Sequence, residues 1–156
     1  MVDNSWPTLN LLIIGSNGAG ASELTRCLSD DVGGIFSADE KNYVPIDFSA
    51  DSQGAIQKIM HGTIVADGAV LIVDVSDEGT DSLENVALLL WNMGIDKVVV
   101  ALNMTDLFDG PTRLNEVRER VRQIMLQVGL KCLACVPVSV RTCENVRNIE
   151  GSDLSN

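Results

Sequence analysis

The sequence predicts a doubly wound, three-layer α/β domain on a mostly parallel sheet. Three observations carry this: short apolar runs alternate with helical periods, the runs are apolar almost without interruption, and the first opens into a glycine-rich loop. Near-continuous apolar strands are what a parallel sheet covered on both faces requires.

The elements follow in order. Residues 9–14 (Leu-Asn-Leu-Leu-Ile-Ile) form the first strand, and residues 23–28 the helix beyond the loop. Residues 43–48 read as a strand, 53–60 as a short helix and 69–75 as a continuous apolar strand. The next helix spans residues 81–93. Asp81 and Glu84 form a capping box at its start, and Val86, Leu89, Leu90 and Met93 recur at core spacing. Trp91 lies in that pattern and is expected in the core, whereas Trp6, ahead of the first strand, either anchors a partner or covers the sheet edge. Residues 97–102 form another buried strand. Residues 113–128 show the clearest helical period, with Leu114, Val117, Val121, Ile124, Met125 and Val128 on one side. Opposite them Arg118, Arg120 and Arg122 interleave with Glu116 and Glu119, which reads as a solvated face rather than a basic patch. Residues 133–138 close the series. The expectation is one domain over residues 1–148 and a disordered tail over 149–156, with no repeat or linker.

Composition narrows the function classes. The 156 residues are 46% hydrophobic and 21% charged, enough for a self-sufficient core. With 22 acidic against 11 basic residues, the net charge of −11 repels phosphate backbones and argues against direct nucleic-acid binding. The apolar runs are too short to span a bilayer and the N-terminus carries no basic region ahead of an apolar stretch, so no membrane partner is expected and the location is read as cytoplasmic or nuclear. The four cysteines read as small buried thiols in a reducing compartment. A zinc site built from Cys132 and Cys135 with Cys143 and His61 is disfavoured, because there is no second CxxC and residues three apart on a strand point to opposite faces.

The loop itself, Gly15-Ser-Asn-Gly-Ala-Gly-Ala-Ser22, fits the phosphate-binding pattern GxxxxGK[ST] in every position but one: Ala21 stands where the lysine belongs. Backbone amides of such a loop cradle phosphates while the lysine supplies the charge, and alanine supplies none.

Further segments match in order: Tyr43-Val44-Pro45-Ile46-Asp47, Met60-His61-Gly62-Thr63, Ala66-Asp67-Gly68 with the strand after it, Asn103-Met104-Thr105-Asp106, and Val136-Pro137-Val138-Ser139. Together with the loop they resemble the GTPase domain of translational GTPases over nearly the whole chain, most closely the group of eukaryotic elongation factor one-alpha and its release-factor and ribosome-rescue relatives. The resemblance implies a P-loop GTPase-like fold and a nucleotide site made by Gly15, Gly18, Gly20, Ala21, Ser22, Asn103, Asp106 and Ser139, with Asp47 on the magnesium side. Asn103 and Asp106 would brace the loop and read guanine, and Ser139 would close over the base. In an alternative reading the same Asn-x-x-Asp turn simply terminates a strand, and the glycines are retained turn residues. Ser22 is then only a helix N-terminal residue, and Asp47 is solvated or capped rather than metal-bound.

Departures from the family pattern fall where the chemistry would be. Besides Ala21, the DxxG segment reads Asp47-Phe48-Ser49-Ala50, Asp51 replaces the water-positioning histidine, and the shortened first switch, residues 29–42, contains no threonine. These changes together remove charge neutralisation and nucleophile orientation, on which phosphoryl transfer depends. No catalytic residue, resident metal or cofactor is expected. The chain is read as a pseudo-GTPase acting as a protein-interaction or scaffold module. The alternative is a guanine-nucleotide binder, for GTP or GDP, with little or no hydrolysis. A translation factor in the usual sense would also need the β-barrel domains of that family and a surface suited to RNA. The expected protein contact is at the edge exposed by the short switch, where Ile35, Phe36 and Ser37 pair with residues 43–46.

Overall fold

The computed structural model describes residues 2–16, 18–29, 34–48, 57, 60–62, 65–76, 80–103, 111–143 and 146. Strand β1 (Thr8–Gly15) leads through the glycine-rich loop into helix α1 (Ala21–Leu28). Strands β2 (Phe36–Ala38) and β3 (Lys41–Phe48) follow, then β4 (Gly68–Asp74), helix α2 (Thr80–Asn92), β5 (Lys97–Asn103), helix α3 (Pro111–Val128) and β6 (Lys131–Pro137). The six strands form one sheet in the order β2-β3-β1-β4-β5-β6, parallel throughout except for the antiparallel β2–β3 pair.

Alternation along the strands feeds two cores. Leu12 and Ile14 of β1 join Leu71, Val98, Val100 and Leu102 in the cluster covered by α2 and α3. Ile13 points the other way, with Ile72 and Ala101, onto Ala21, Leu24 and Cys27 of α1. This is the two-sided burial that made the strands continuously apolar in sequence. Helix α3 begins with Pro111, a residue suited to the first turn because its missing N–H has no intrahelical acceptor there. Its Val117, Val121, Ile124 and Met125 are buried as the helical period predicts. Of the helix expected over residues 53–60, Gln57 and Met60 are helical, and the His61 N–H donates to Gln57 O at 2.8 Å. The rest of that segment lies outside the described residues, as do the side chain of Asp81 and the expected tail.

Four sequence expectations are corrected. Trp91 is half exposed: the core positions of α2 are Leu83, Ala87 and Leu90, and Trp91 sits one step around the helix from Leu90. Its ring instead lies over the turn after α3, where a β-carbon on Gly129 would be 3.4 Å from the indole Cζ3.

The edge pairing is shifted. Phe36 pairs with Tyr43, Ser37 with Asn42 and Ala38 with Lys41, so β3 starts two residues earlier than predicted and Ile35 lies before β2. Asp39 (φ 49°) and Glu40 (φ 58°) make the tight turn, both left-handed, the geometry that matches hairpin twist.

Cys132 and Cys135 do not face opposite sides. Val98 pairs with Cys132 but Val99 pairs with Ala134, so Leu133 is an extra residue in a bulge. The insertion turns a separation of three into an effective two, and both thiols pack against the core shared with α2 and α3 while Leu133 is expelled to solvent.

Finally, Cys27 and Cys143 are not thiols here. They form a disulfide between α1 and the segment after β6, with Cα atoms 5.8 Å apart.

Candidate nucleotide site

The site forms at the carboxyl ends of β1 and β5. Gly15 ends β1 against β4 so closely that a β-carbon would lie 2.6 Å from Ile72 Cγ2 and 2.7 Å from Ile72 O. The chain turns through Gly18 (φ 78°) and Gly20 (φ 104°) before α1 begins, and a β-carbon on Gly20 would also meet Asn103 Nδ2 at 2.6 Å. Glycine is thus required at Gly15 by space and at Gly20 by both space and backbone conformation. Within the loop the Ala19 N–H donates to Ser16 O at 3.0 Å. Ala21 opens the helix and is only 7% exposed, its methyl part of the apolar cluster with Leu24 and Cys27.

Ser22 does not cap α1. The helix has Gly20 at its N-cap with no side-chain bond, and Ser22 Oγ donates instead to Asp47 Oδ2 at 2.7 Å. Asp47, at the end of β3, is therefore engaged through one oxygen. Its Oδ1 is buried without a hydrogen-bond partner among the described residues. Phe48 turns into the core on the α2/α3 side and Glu23 is exposed.

Asn103, 1% exposed at the end of β5, ties three segments together. Its Nδ2 donates to Ala19 O at 2.8 Å, its Oδ1 accepts the Val140 N–H at 3.1 Å, and its backbone carbonyl accepts the Val75 N–H at 3.1 Å. Ser139 is buried beside it in the turn after β6. The structure thus brings Gly15, Gly18, Gly20, Ala21, Ser22, Asp47, Asn103 and Ser139 to one end of the sheet; Asp106 lies outside the described residues, as do Met104 and Asp51. Sequence reasoning passed over Asn42. Its buried amide donates to Asp3 O at 2.7 Å and accepts from Ser37 Oγ at 2.7 Å, fastening the N-terminal segment to the β2–β3 hairpin. Asn42 follows Lys41 and precedes the strand predicted over 43–48, so the sequence carried no local signal for its burial.

The two remaining thiols stand apart from this site. Burial pushes the Cys135 thiol up to about 11, with neighbouring Cys132 adding to the rise and Arg118 offsetting part of it. Burial also raises Cys132. Among the described residues no cluster of His, Cys, Asp and Glu could hold a metal ion.

A mostly parallel sheet with a glycine-rich strand-to-helix loop, braced by a buried asparagine at the end of a neighbouring strand, defines a P-loop type of nucleotide-binding fold. The chain belongs to the family of the elongation factor Tu GTP binding domain, whose model matches residues 56–151.

Among curated relatives it is similar to elongation factor 1-alpha of Thermococcus onnurineus, at 26% identity over 125 residues, which is 80% of this chain and 29% of that protein. Elongation factor 1-alpha of Methanopyrus kandleri is 30% identical over 101 residues, 63% of this chain and 23% of that protein. The chain therefore spans less than a third of the length of these relatives. Among solved structures it is similar to sup35 complexed with GMPPNP, with a TM-score of 0.70 at 18% identity, over 96% of this chain and 41% of that one. Translation elongation factor SelB from Methanococcus maripaludis in its apo form gives a TM-score of 0.69 at 20% identity, over 88% of this chain and 30% of that one. These likenesses establish the fold.

Proposed function

We propose that this translational GTPase-like domain has lost nucleotide hydrolysis and acts as a protein-interaction or scaffold module. The observation that carries the reading is the state of the loop. The lysine position is an alanine whose methyl is buried in the apolar cluster beside α1, and one loop amide, of Ala19, is spent on Ser16 O. The residues present do not fit a magnesium–triphosphate group. Ser22 Oγ points its proton at Asp47, and the first switch supplies no threonine to complete a metal shell. A triphosphate would meet Asp47 without a lysine to offset it, in a chain of net charge −11.

The protein contact is proposed at the β2 edge around Ile35, Phe36 and Ser37, because β2 is the terminal strand of the sheet. Phe36 is stacked on Tyr43 there, ring centroids 5.0 Å apart, which stiffens the hairpin that would receive a partner. The cytoplasm or nucleus is the proposed location, in keeping with the absence, among the described residues, of a helix long and apolar enough to cross a membrane.

A second reading is a guanine-nucleotide binder without turnover. It is favoured by the Asn103 brace on Ala19 O and by the left-handed conformation retained at Gly18 and Gly20. Isothermal titration with GDP and GTP, with and without magnesium, separates the two. The interaction-module reading expects affinity weaker than millimolar under all four conditions; saturable micromolar binding by either nucleotide would favour the second reading.

A further inference from the structure

We propose that Cys27 and Cys143 are a reversible thiol/disulfide couple, with Cys143 the thiol that exchanges with a low-molecular-weight disulfide and Cys27 the thiol that closes the bond.

Three observations converge on this pair. The Cα separation of 5.8 Å is within the range a disulfide spans without moving the backbone. The two residues differ in burial: Cys27 is 2% exposed, whereas Cys143 is only half-buried. Both lie near one acceptor, with Cys27 Sγ 3.4 Å and Cys143 Sγ 3.9 Å from Val140 O, a carbonyl that is at hand for a thiol when the bond opens and the sulfurs part. Cys143 also holds a left-handed backbone conformation (φ 55°), which a non-glycine residue keeps only when its surroundings enforce it.

The chemistry balances as thiol–disulfide exchange with a reagent such as glutathione disulfide. The Cys143 thiolate attacks one sulfur of the reagent, breaking its S–S bond, forming a mixed disulfide and releasing one thiolate. The Cys27 thiolate then attacks Cys143 Sγ and expels the second. Two protein thiols are oxidised, one external disulfide is reduced to two thiols, and the protons given up by the cysteines end on the released thiolates. Cys132 and Cys135 stand as free thiols in the same structure in which Cys27 and Cys143 are joined.

Closure has a defined mechanical consequence. Asn103 already joins the loop at Ala19 to the turn at Val140. The disulfide joins that same turn, three residues on, to the far end of α1, whose near end is the loop. Oxidation thus completes a closed circuit of loop, Asn103, Val140 turn, Cys143, Cys27 and α1. Reduction opens it. This inference is independent of whether a nucleotide binds.

The test equilibrates the purified full chain in glutathione buffers from reducing to oxidising, then alkylates free thiols with a maleimide and maps them by mass spectrometry. Cys27 and Cys143 should lose labelling together as the buffer becomes oxidising, while Cys132 and Cys135 remain labelled after unfolding. The oxidised protein should melt roughly 5–15 °C above the reduced one. Amide hydrogen exchange at Ala19 and Val140 should slow on oxidation. Cys143→Ser and Cys27→Ser should each abolish both differences, and using both guards against one variant failing to fold. Oxidation of Cys132 with Cys135 instead, equal melting of the two wild-type states, or a redox-dependent shift that survives in a folded Cys143→Ser protein would each overturn the proposal.

Discussion

A single buried amide holds the loop end of this molecule together. Asn103 spends its donor on Ala19 O and its acceptor on the Val140 N–H, so removing it leaves two buried backbone groups unsatisfied rather than one side chain missing. Orphaned buried polar groups cost on the order of 1–3 kcal/mol each, so Asn103→Ala should lose about 2–6 kcal/mol of stability, read from the midpoint of urea unfolding. A midpoint unchanged from wild type would show that the strut is idle. An Asn at this place was legible in the sequence as a brace, a guanine reader's companion or a strand terminator. Geometry selects the brace, while Asp106 lies outside the described residues. Asp47 was legible as a residue beside the loop, solvated or capped in one reading; that the Ser22 hydroxyl is its partner was not.

At the scale of the element, β6 shows what periodicity can and cannot reveal. Its apolar character marked it as a strand, as did that of the other buried strands, and α3 was clear from its helical period. The bulge at Leu133 had no local sign, since an inserted residue is defined only against the partner strand β5. It decides which way the thiols face, and with that comes a pH dependence. Cys135 titrates in the fold at about 11 against an ordinary value of 9.0. A raised folded pKa means that the fold favours the protonated thiol, so this contribution is complete below about pH 9 and is lost as pH climbs toward 11. Chemical denaturation across that window should show wild type losing more stability than Cys135→Ala, whose curve lacks that one contribution. Parallel curves would place the thiol in a wetter setting. Trp91 belongs to the same lesson: apolar identity suggested the core, but one step of 100° around α2 put it at the margin over Gly129.

For the whole molecule, the fold class and strand sequence were readable from the alternation of apolar runs and helical periods, whereas the cross-links were not. Cys27 and Cys143 are 116 residues apart, a distance over which no spacing rule operates. The proposed loss of hydrolysis is likewise a property of the ensemble rather than of one position. Ala21→Lys would return one charge to the loop but no switch threonine, no DxxG glycine and no water-positioning histidine. Phosphate release from GTP and magnesium by this variant should stay at the buffer background; turnover above it would mean that the remaining differences are dispensable.

The strand order also sets a timetable. Among the described residues, only the β2–β3 pair is a tight hairpin, its closing pair Ala38 and Lys41 meeting across a two-residue turn. Every other ladder pairs distant residues: Thr8 with Asn42, Leu11 with Gly68, Ala69 with Val98, Lys97 with Lys131. Chain closure must precede each of these contacts, which places folding in the slow regime of non-local topologies. β1, flanked by β3 and β4, cannot complete its pairing until Ile72, the partner of Gly15, has been made. On a ribosome, the β4-facing edge of the first strand would stay open while the chain from Gly15 to Ile72 emerged, even after Phe48 had allowed β3 to close the other edge.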